Sequence, residues 1–335
     1  MVDDSLLESI WRDAEGTGFA GWDPYDGLNS PLFRALPVAR IPKARQAWIQ
    51  LTKHSPLNIR PLFGQRPEVL AKGMALFALG AWKLGTRPGP AAATWRARGT
   101  AALERMLALR SPGFDEICFG YPYDWQSRAF FQPRNAPNLI CSVFAALAAE
   151  RRTDGGDAVA VPENVTRFIM THLHRRGAAG EYITYTPTTD TQVHNVNMLG
   201  AALLAREGRR RGDTELARVA GGAMRFSVER MRPDGAWPYG EAANQPWVDN
   251  FHTGYNLVAL LDYRRTTGET WGDAALEKAY RYWDTTFGAP DGSAGRVQTV
   301  RSGRPVQVRR IGGKARRGPR GRHEVRIEIR ASKLD

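Results

Sequence analysis

Three stretches of this chain repeat one design, and that repeat limits what the chain can fold into. PNLICSVFAALAAE begins at Pro137, VHNVNMLGAALLAR at Val193 and VDNFHTGYNLVALLDY at Val248. Each follows an aromatic, turn-rich loop, and each reads as a helix rich in small residues. Ser142, Gly200 and Gly254 occupy matching places, 58 and 54 residues apart. The repeating unit is therefore loop, inner helix, turn, outer helix. Such a period predicts stacked helical hairpins rather than a bundle around one core. The small residues predict close packing of the inner helices around an axis.

The rest of the chain supplies more helices of the same kind. Apolar periodicity predicts them over 5–14, 42–54, 67–84, 91–109, 138–151, 163–175, 194–209 and 213–231, from about Asn250, and over 271–287. Pro- and Gly-rich stretches separate them: GWDPYDGLNSPLF from Gly21, SPLNIRPLFG from Ser55, and Arg87-Pro88-Gly89-Pro90. In the first of these, Asp23 and Asp26 are read as turn-makers. Ten helices are expected, and two more would close a ring of six hairpins. The fold class is all-α, an α/α toroid over residues 1–293 that is incomplete at its C-terminal end.

Beyond Gly288 the character changes. All 33 aromatic residues precede it. Residues 296–335 hold 13 Lys and Arg against 3 Asp and Glu, a net of +10. The whole chain carries +13, so +3 remains for residues 1–295. The basicity belongs to a tail, residues 294–335, read as disordered or as the product of a shifted reading frame. Nucleic acid is thus not expected as a partner of the folded body; only the tail would suit RNA or an anionic surface.

Other classes fall away. The two cysteines, Cys118 and Cys141, make neither a disulfide framework nor a metal spacing. The acidic start MVDDSLLESI is unlike a secretory leader, and no apolar run is long enough for a membrane span, so a cytoplasmic location is expected. Phosphate loops, GxSxG and HExxH are missing, so no cofactor and no metal are expected.

The stretches DGAWPYGE, VDNFHTGYNLVALLDY and DPYDGLNS resemble uncharacterised prokaryotic proteins of polysaccharide gene clusters. More broadly the pattern is similar to the six-hairpin glycosidase and polysaccharide-lyase toroids. The resemblance implies that the starts of the inner helices and their loops line one mouth of the ring. That mouth would hold Tyr123, Asp124, Trp125, Gln126 and Arg128, then His194, Asn195 and Asn197. It would also hold Trp237, Tyr239, Glu241, Asp249, Asn250, His252 and Tyr255.

By the same resemblance, the chain acts on an acidic, uronate-containing saccharide by lyase, epimerase or hydrolase chemistry. Asn195 or Asn250 would neutralise the uronate, His194 or His252 would act as base, and Tyr255 or Tyr239 would pass the proton. Arg128 would hold a carboxylate in its planar fork. Hydrolysis would instead need two carboxyl groups, drawn from Asp124, Glu241 and Asp249. Trp125, Trp237 and Trp247 suit stacking on sugar rings. The alternative is a glycan-binding or assembly protein of a polysaccharide pathway that performs no reaction.

Overall fold

The computed structural model describes residues 4–127, 130–152, 160–178, 180–288, 297–301 and 304–307. It is an all-helical hairpin architecture with a few short strands. Eleven α-helices occur among the described residues, one more than expected. The addition is α2, Pro31–Ala35, capped by the Ser30 hydroxyl, which accepts from the Phe33 amide. Five residues with Pro at the first position are too short to show a helical period. The chain divides into two compact units, Met1–Arg175 with Ile183–Asp190, and Arg176–Tyr182 with Thr191–Asp335.

The first unit contains α1 (Asp4–Gly16), α2, α3 (Pro42–His54), α4 (Ala71–Gly85), α5 (Ala92–Leu107), α6 (Leu139–Glu150) and α7 (Ala160–Phe168). Helices α4 and α5 form a hairpin, α6 packs on α4, and α7 packs on α6. Glycine sets the closeness of the α4–α5 contact. A Cβ on Gly99 would lie 2.4 Å from Trp82 Nε1, and one on Gly85 would lie 2.7 Å from Arg96 Cγ. Trp11 of α1 meets Trp95 and Phe77 edge-on, at 5.7 and 5.6 Å between ring centres. Strands β1 (Trp125–Gln126) and β2 (Phe131–Gln132) pair antiparallel in the loop before α6. Asn138 caps that helix, accepting from the Cys141 amide. The chain passes between the units through β3 (His174–Gly177) and β4 (Gly180–Ile183).

The second unit contains α8 (His194–Arg211), α9 (Thr214–Val228), α10 (Asn250–Thr267) and α11 (Asp273–Phe287). Helices α8 and α9 form one hairpin, α10 and α11 another, and α10 lies against α8. Just before α10, β5 (Val248–Asp249) pairs with β6 (Val297–Arg301), which pairs with β7 (Arg304–Gln307). Those two strands are the part of the expected tail that the structure describes; the remainder lies outside the described residues.

The inner helices differ in how fully they are enclosed. Fourteen residues of α8 are buried but only six of α10, though both have 18 residues. Beside α10 runs an apolar groove lined by Leu257, Val258, Leu261, Leu276 and Tyr280. The expectation of close packing at the small residues therefore fails at Gly254, where a Cβ would meet nothing within 4 Å. Gly254→Ala is accordingly expected to raise stability by about 1 kcal/mol, because alanine loses less backbone entropy in a helix. A lowered denaturation midpoint would contradict this.

Candidate active site

The second unit gathers the polar residues expected at the starts of α8 and α10. Three backbone bonds hold the intervening loop beside both helix starts. The His194 amide donates to Tyr239 O at 3.1 Å, the Tyr239 amide to Trp247 O at 2.7 Å, and the Glu241 amide to Gln192 O at 3.1 Å. Two histidine–carboxylate pairs result.

The first pair is Asp249 with His252. Asp249 is the N-cap of α10, and its Oδ1 accepts from the His252 amide at 2.8 Å. Its Oδ2 accepts from His252 Nδ1 at 2.6 Å and from Trp247 Nε1 at 3.2 Å. Burial pushes the Asp249 carboxyl up, but the bonds from His252 and Trp247 more than offset it, so it is held below its ordinary value. The network assigns the ring proton to Nδ1 and leaves the lone pair on Nε2. Tyr239 completes the cluster, stacked on Trp247 at 4.4 Å and edge-on to His252 at 4.7 Å. His252 itself remains partly exposed.

The second pair is His194 with Glu241. The His194 side chain is 0% exposed and links buried Ser227 to the partly exposed Glu241. Its Nδ1 lies 3.0 Å from Ser227 Oγ and its Nε2 2.8 Å from Glu241 Oε1. Ser227 Oγ also accepts from Asn197 Nδ2 at 2.8 Å. A serine hydroxyl has one proton to give, so it donates to Nδ1, and Nε2–H donates to Glu241. Arg230 Nε stands 3.5 Å from the other Glu241 oxygen. The His194 bond, opposed by partial burial and helped by the positive charge of Arg230, holds the Glu241 carboxyl below its ordinary value.

Both lowered carboxyls bear on acid stability with one sign. A group whose folded pKa is depressed stabilises the fold above its unfolded pKa and loses that contribution as pH falls through the folded value. Wild-type protein is therefore expected to lose stability relative to an Asp249→Asn, Glu241→Gln double variant as pH drops below about 4. Melting curves across that range read the difference. A constant gap between the two proteins would refute the assignment.

The structure redistributes several of the other expected residues. Trp237 is 1% exposed, and its Nε1 donates to Ser227 O at 2.8 Å. Its indole is enclosed among the buried side chains of the second unit. Asn197 is likewise buried, donating to Ala223 O at 2.6 Å and to Ser227 Oγ. Asn195 is buried with its Oδ1 unbonded among the described residues. Asn250 Oδ1 accepts from Trp283 Nε1 at 2.7 Å. Tyr255 is half-buried, which pushes its hydroxyl up.

In the first unit, Tyr123 is buried and stacks on Tyr121 at 5.4 Å. Asp124 Oδ1 accepts from the Arg134 amide at 2.7 Å, and Gln126 Nε2 donates to Ser127 O and Phe130 O. Gln126 Oε1 also accepts from Arg45 of α3 at 3.5 Å. Trp125 meets Tyr121 and Phe130 edge-on. Arg128 lies outside the described residues. Asp26 makes the expected turn, accepting from the Asp23 amide, and in addition forms a buried ion pair with Arg60 at 2.6 Å.

Sequence reasoning missed Ser227 and Arg230, which lie at and beyond the end of the outer helix α9, away from the helix starts where the site was expected. Among the described residues no three His, Cys, Asp or Glu side chains converge as a metal site, and no helix is long and apolar enough to cross a membrane.

No protein-family model and no curated protein sequence matches the chain. Solved structures do. Cellobiose 2-epimerase from Bacillus thermoamylovorans superposes with a TM-score of 0.55 at 8% identity, over 73% of this chain and 68% of that one. A sugar epimerase from a ruminal bacterium gives 0.52 at 11% identity, over 85% and 82%. A possible member of the GH105 family from Salmonella enterica gives 0.52 at 11%, over 93% and 79%. The chain spans as little as 47% of another matching structure. At such identities the likeness speaks to fold alone, and that fold is an α/α toroid.

Proposed function

We propose that this chain is a carbohydrate-active enzyme that moves a proton at a sugar carbon next to a carbonyl or carboxylate. The base is His252, and the observation that carries the reading is the 2.6 Å bond from His252 Nδ1 to Asp249. A carboxylate bonded at Nδ1 fixes the tautomer and the ring orientation, so that Nε2 is the atom presented to take the proton. Tyr255, kept protonated by its burial, is the group that returns a proton. In an epimerase it would deliver to the opposite face of the carbon. In a lyase it would deliver to the departing glycosidic oxygen, as a carbon–carbon double bond forms.

Hydrolysis fits less well. It needs one carboxyl group protonated to serve the leaving oxygen, and Glu241 and Asp249 are both held below their ordinary values. Two of the structural neighbours are described as a cellobiose 2-epimerase and a sugar epimerase, which supports isomerising chemistry on saccharides. The substrate class is a saccharide bearing a uronate or a reducing-end carbonyl.

The test is isotope exchange. Reducing disaccharides and uronate oligosaccharides are incubated with the protein in D2O and read by NMR. Deuterium at the carbon beside the carbonyl or carboxylate is the expected result. A lyase would instead reveal itself by cleavage with a new carbon–carbon double bond, and cleavage that leaves neither carbon-bound deuterium nor a double bond would assign a hydrolase. Binding without any exchange would assign a glycan-binding protein.

A further inference from the structure

Residues 27–67 contain no Asp or Glu and seven Lys or Arg. Their inward side chains close on one another. Phe33 stacks on Trp48 at 5.0 Å, Phe63 meets Trp48 edge-on at 4.8 Å, and Leu28 and Ile49 fill the remaining space. Three of the seven cations are occupied: Arg45 with Ala39 O, Lys53 with the Tyr25 hydroxyl, and Arg60 with Asp26.

The outward side is unusual. Leu32, Leu36, Ile41, Leu51, Leu57 and Leu62 are all more than half exposed, and the last two reach 73% and 77%. Scattered surface leucines are ordinary, but five leucines and an isoleucine this exposed within one short, compactly packed segment call for a partner. Interleaved with them, Arg34, Arg40 and Lys43 are exposed and make no ion pair among the described residues.

We infer that these side chains share one face that docks on an anionic lipid bilayer, with the apolar side chains entering the acyl boundary and Arg34, Arg40 and Lys43 resting on acidic headgroups. Two physical conditions of peripheral binding are met together: buried apolar area and uncompensated positive charge. A second copy of the chain is the weaker occupant, because a twofold contact through this face would set like charges against each other. RNA would engage the cations but gains nothing from protruding leucines.

The experiment is co-sedimentation of the full chain with vesicles of phosphatidylcholine alone, or with roughly one quarter phosphatidylglycerol. Binding to the acidic vesicles, weakened by added salt, is expected. Replacing Arg34, Arg40 and Lys43 together by Gln should weaken it on the order of a hundredfold. The pair Leu57→Ser, Leu62→Ser should weaken it by a similar factor. Both leucines are so exposed that circular dichroism and melting should be unchanged, which separates lost docking from lost folding. Equal binding to both vesicle types, or undiminished binding by either variant, would overturn the inference. So would a wild-type dimer in light scattering that the leucine variant abolishes.

Discussion

Replacing His252 by asparagine is expected to lower turnover about a thousandfold, with substrate affinity and fold little changed. A positioned general base contributes roughly 10²- to 10⁴-fold, and asparagine cannot take a proton at the place of Nε2. The helix start survives because the cap bond runs from the His252 backbone amide to Asp249 Oδ1 and does not need the imidazole. Asp249→Asn separates capping from catalysis. Asparagine caps a helix about as well as aspartate, so stability near neutral pH should fall by no more than about 1 kcal/mol. The amide, however, has no charge to stabilise a histidinium. Turnover should drop at least tenfold while the Michaelis constant stays near its starting value. Exchange kinetics on both variants decide the matter: wild-type rates in His252→Asn would remove the histidine from the chemistry and leave Asp249 as a helix cap alone.

Trp237→Ala is expected to cost about 3–5 kcal/mol of stability, the range for deleting a buried aromatic side chain. The site explains why the value should fall toward the top of that range. Besides emptying its volume, the change removes the donor to Ser227 O, and Ser227 is the residue through which His194 and Asn197 are joined. Trp237→Phe keeps much of the volume but leaves that carbonyl without the indole, so a smaller loss of about 1–2 kcal/mol should follow. Denaturant midpoints measure both. A Trp237→Ala protein that keeps its stability but no longer binds saccharide would assign the tryptophan to the sugar site.

Helix positions were legible because periodicity is a local property. Pro42–His54 and the start of α10 at Asn250 follow from apolar spacing and a capping aspartate. The residues of the second unit's cluster were also legible, since polar and aromatic side chains crowd the loop that precedes a helix. Their partnerships were not. Asp249 and His252 are three apart and could have been paired by helix geometry, but His194 and Glu241 are separated by 47 residues. Trp237 and Trp247 look alike in sequence, both in a polar loop. One is enclosed by its unit, and the other keeps partial exposure with its indole on Asp249.

The sequence alone determined that this chain would be helical, that its helices would come as repeated hairpins, and which polar residues would stand at their starts. Those outcomes depend on spacing along the chain, which the order of residues contains completely. Only the tertiary structure decided which side chains are buried, that Ser227 and Glu241 would share one histidine, and that Gly254 would face open space. Such outcomes depend on which surfaces meet after the hairpins pack, and burial is a property of the neighbours a residue acquires rather than of the residue itself.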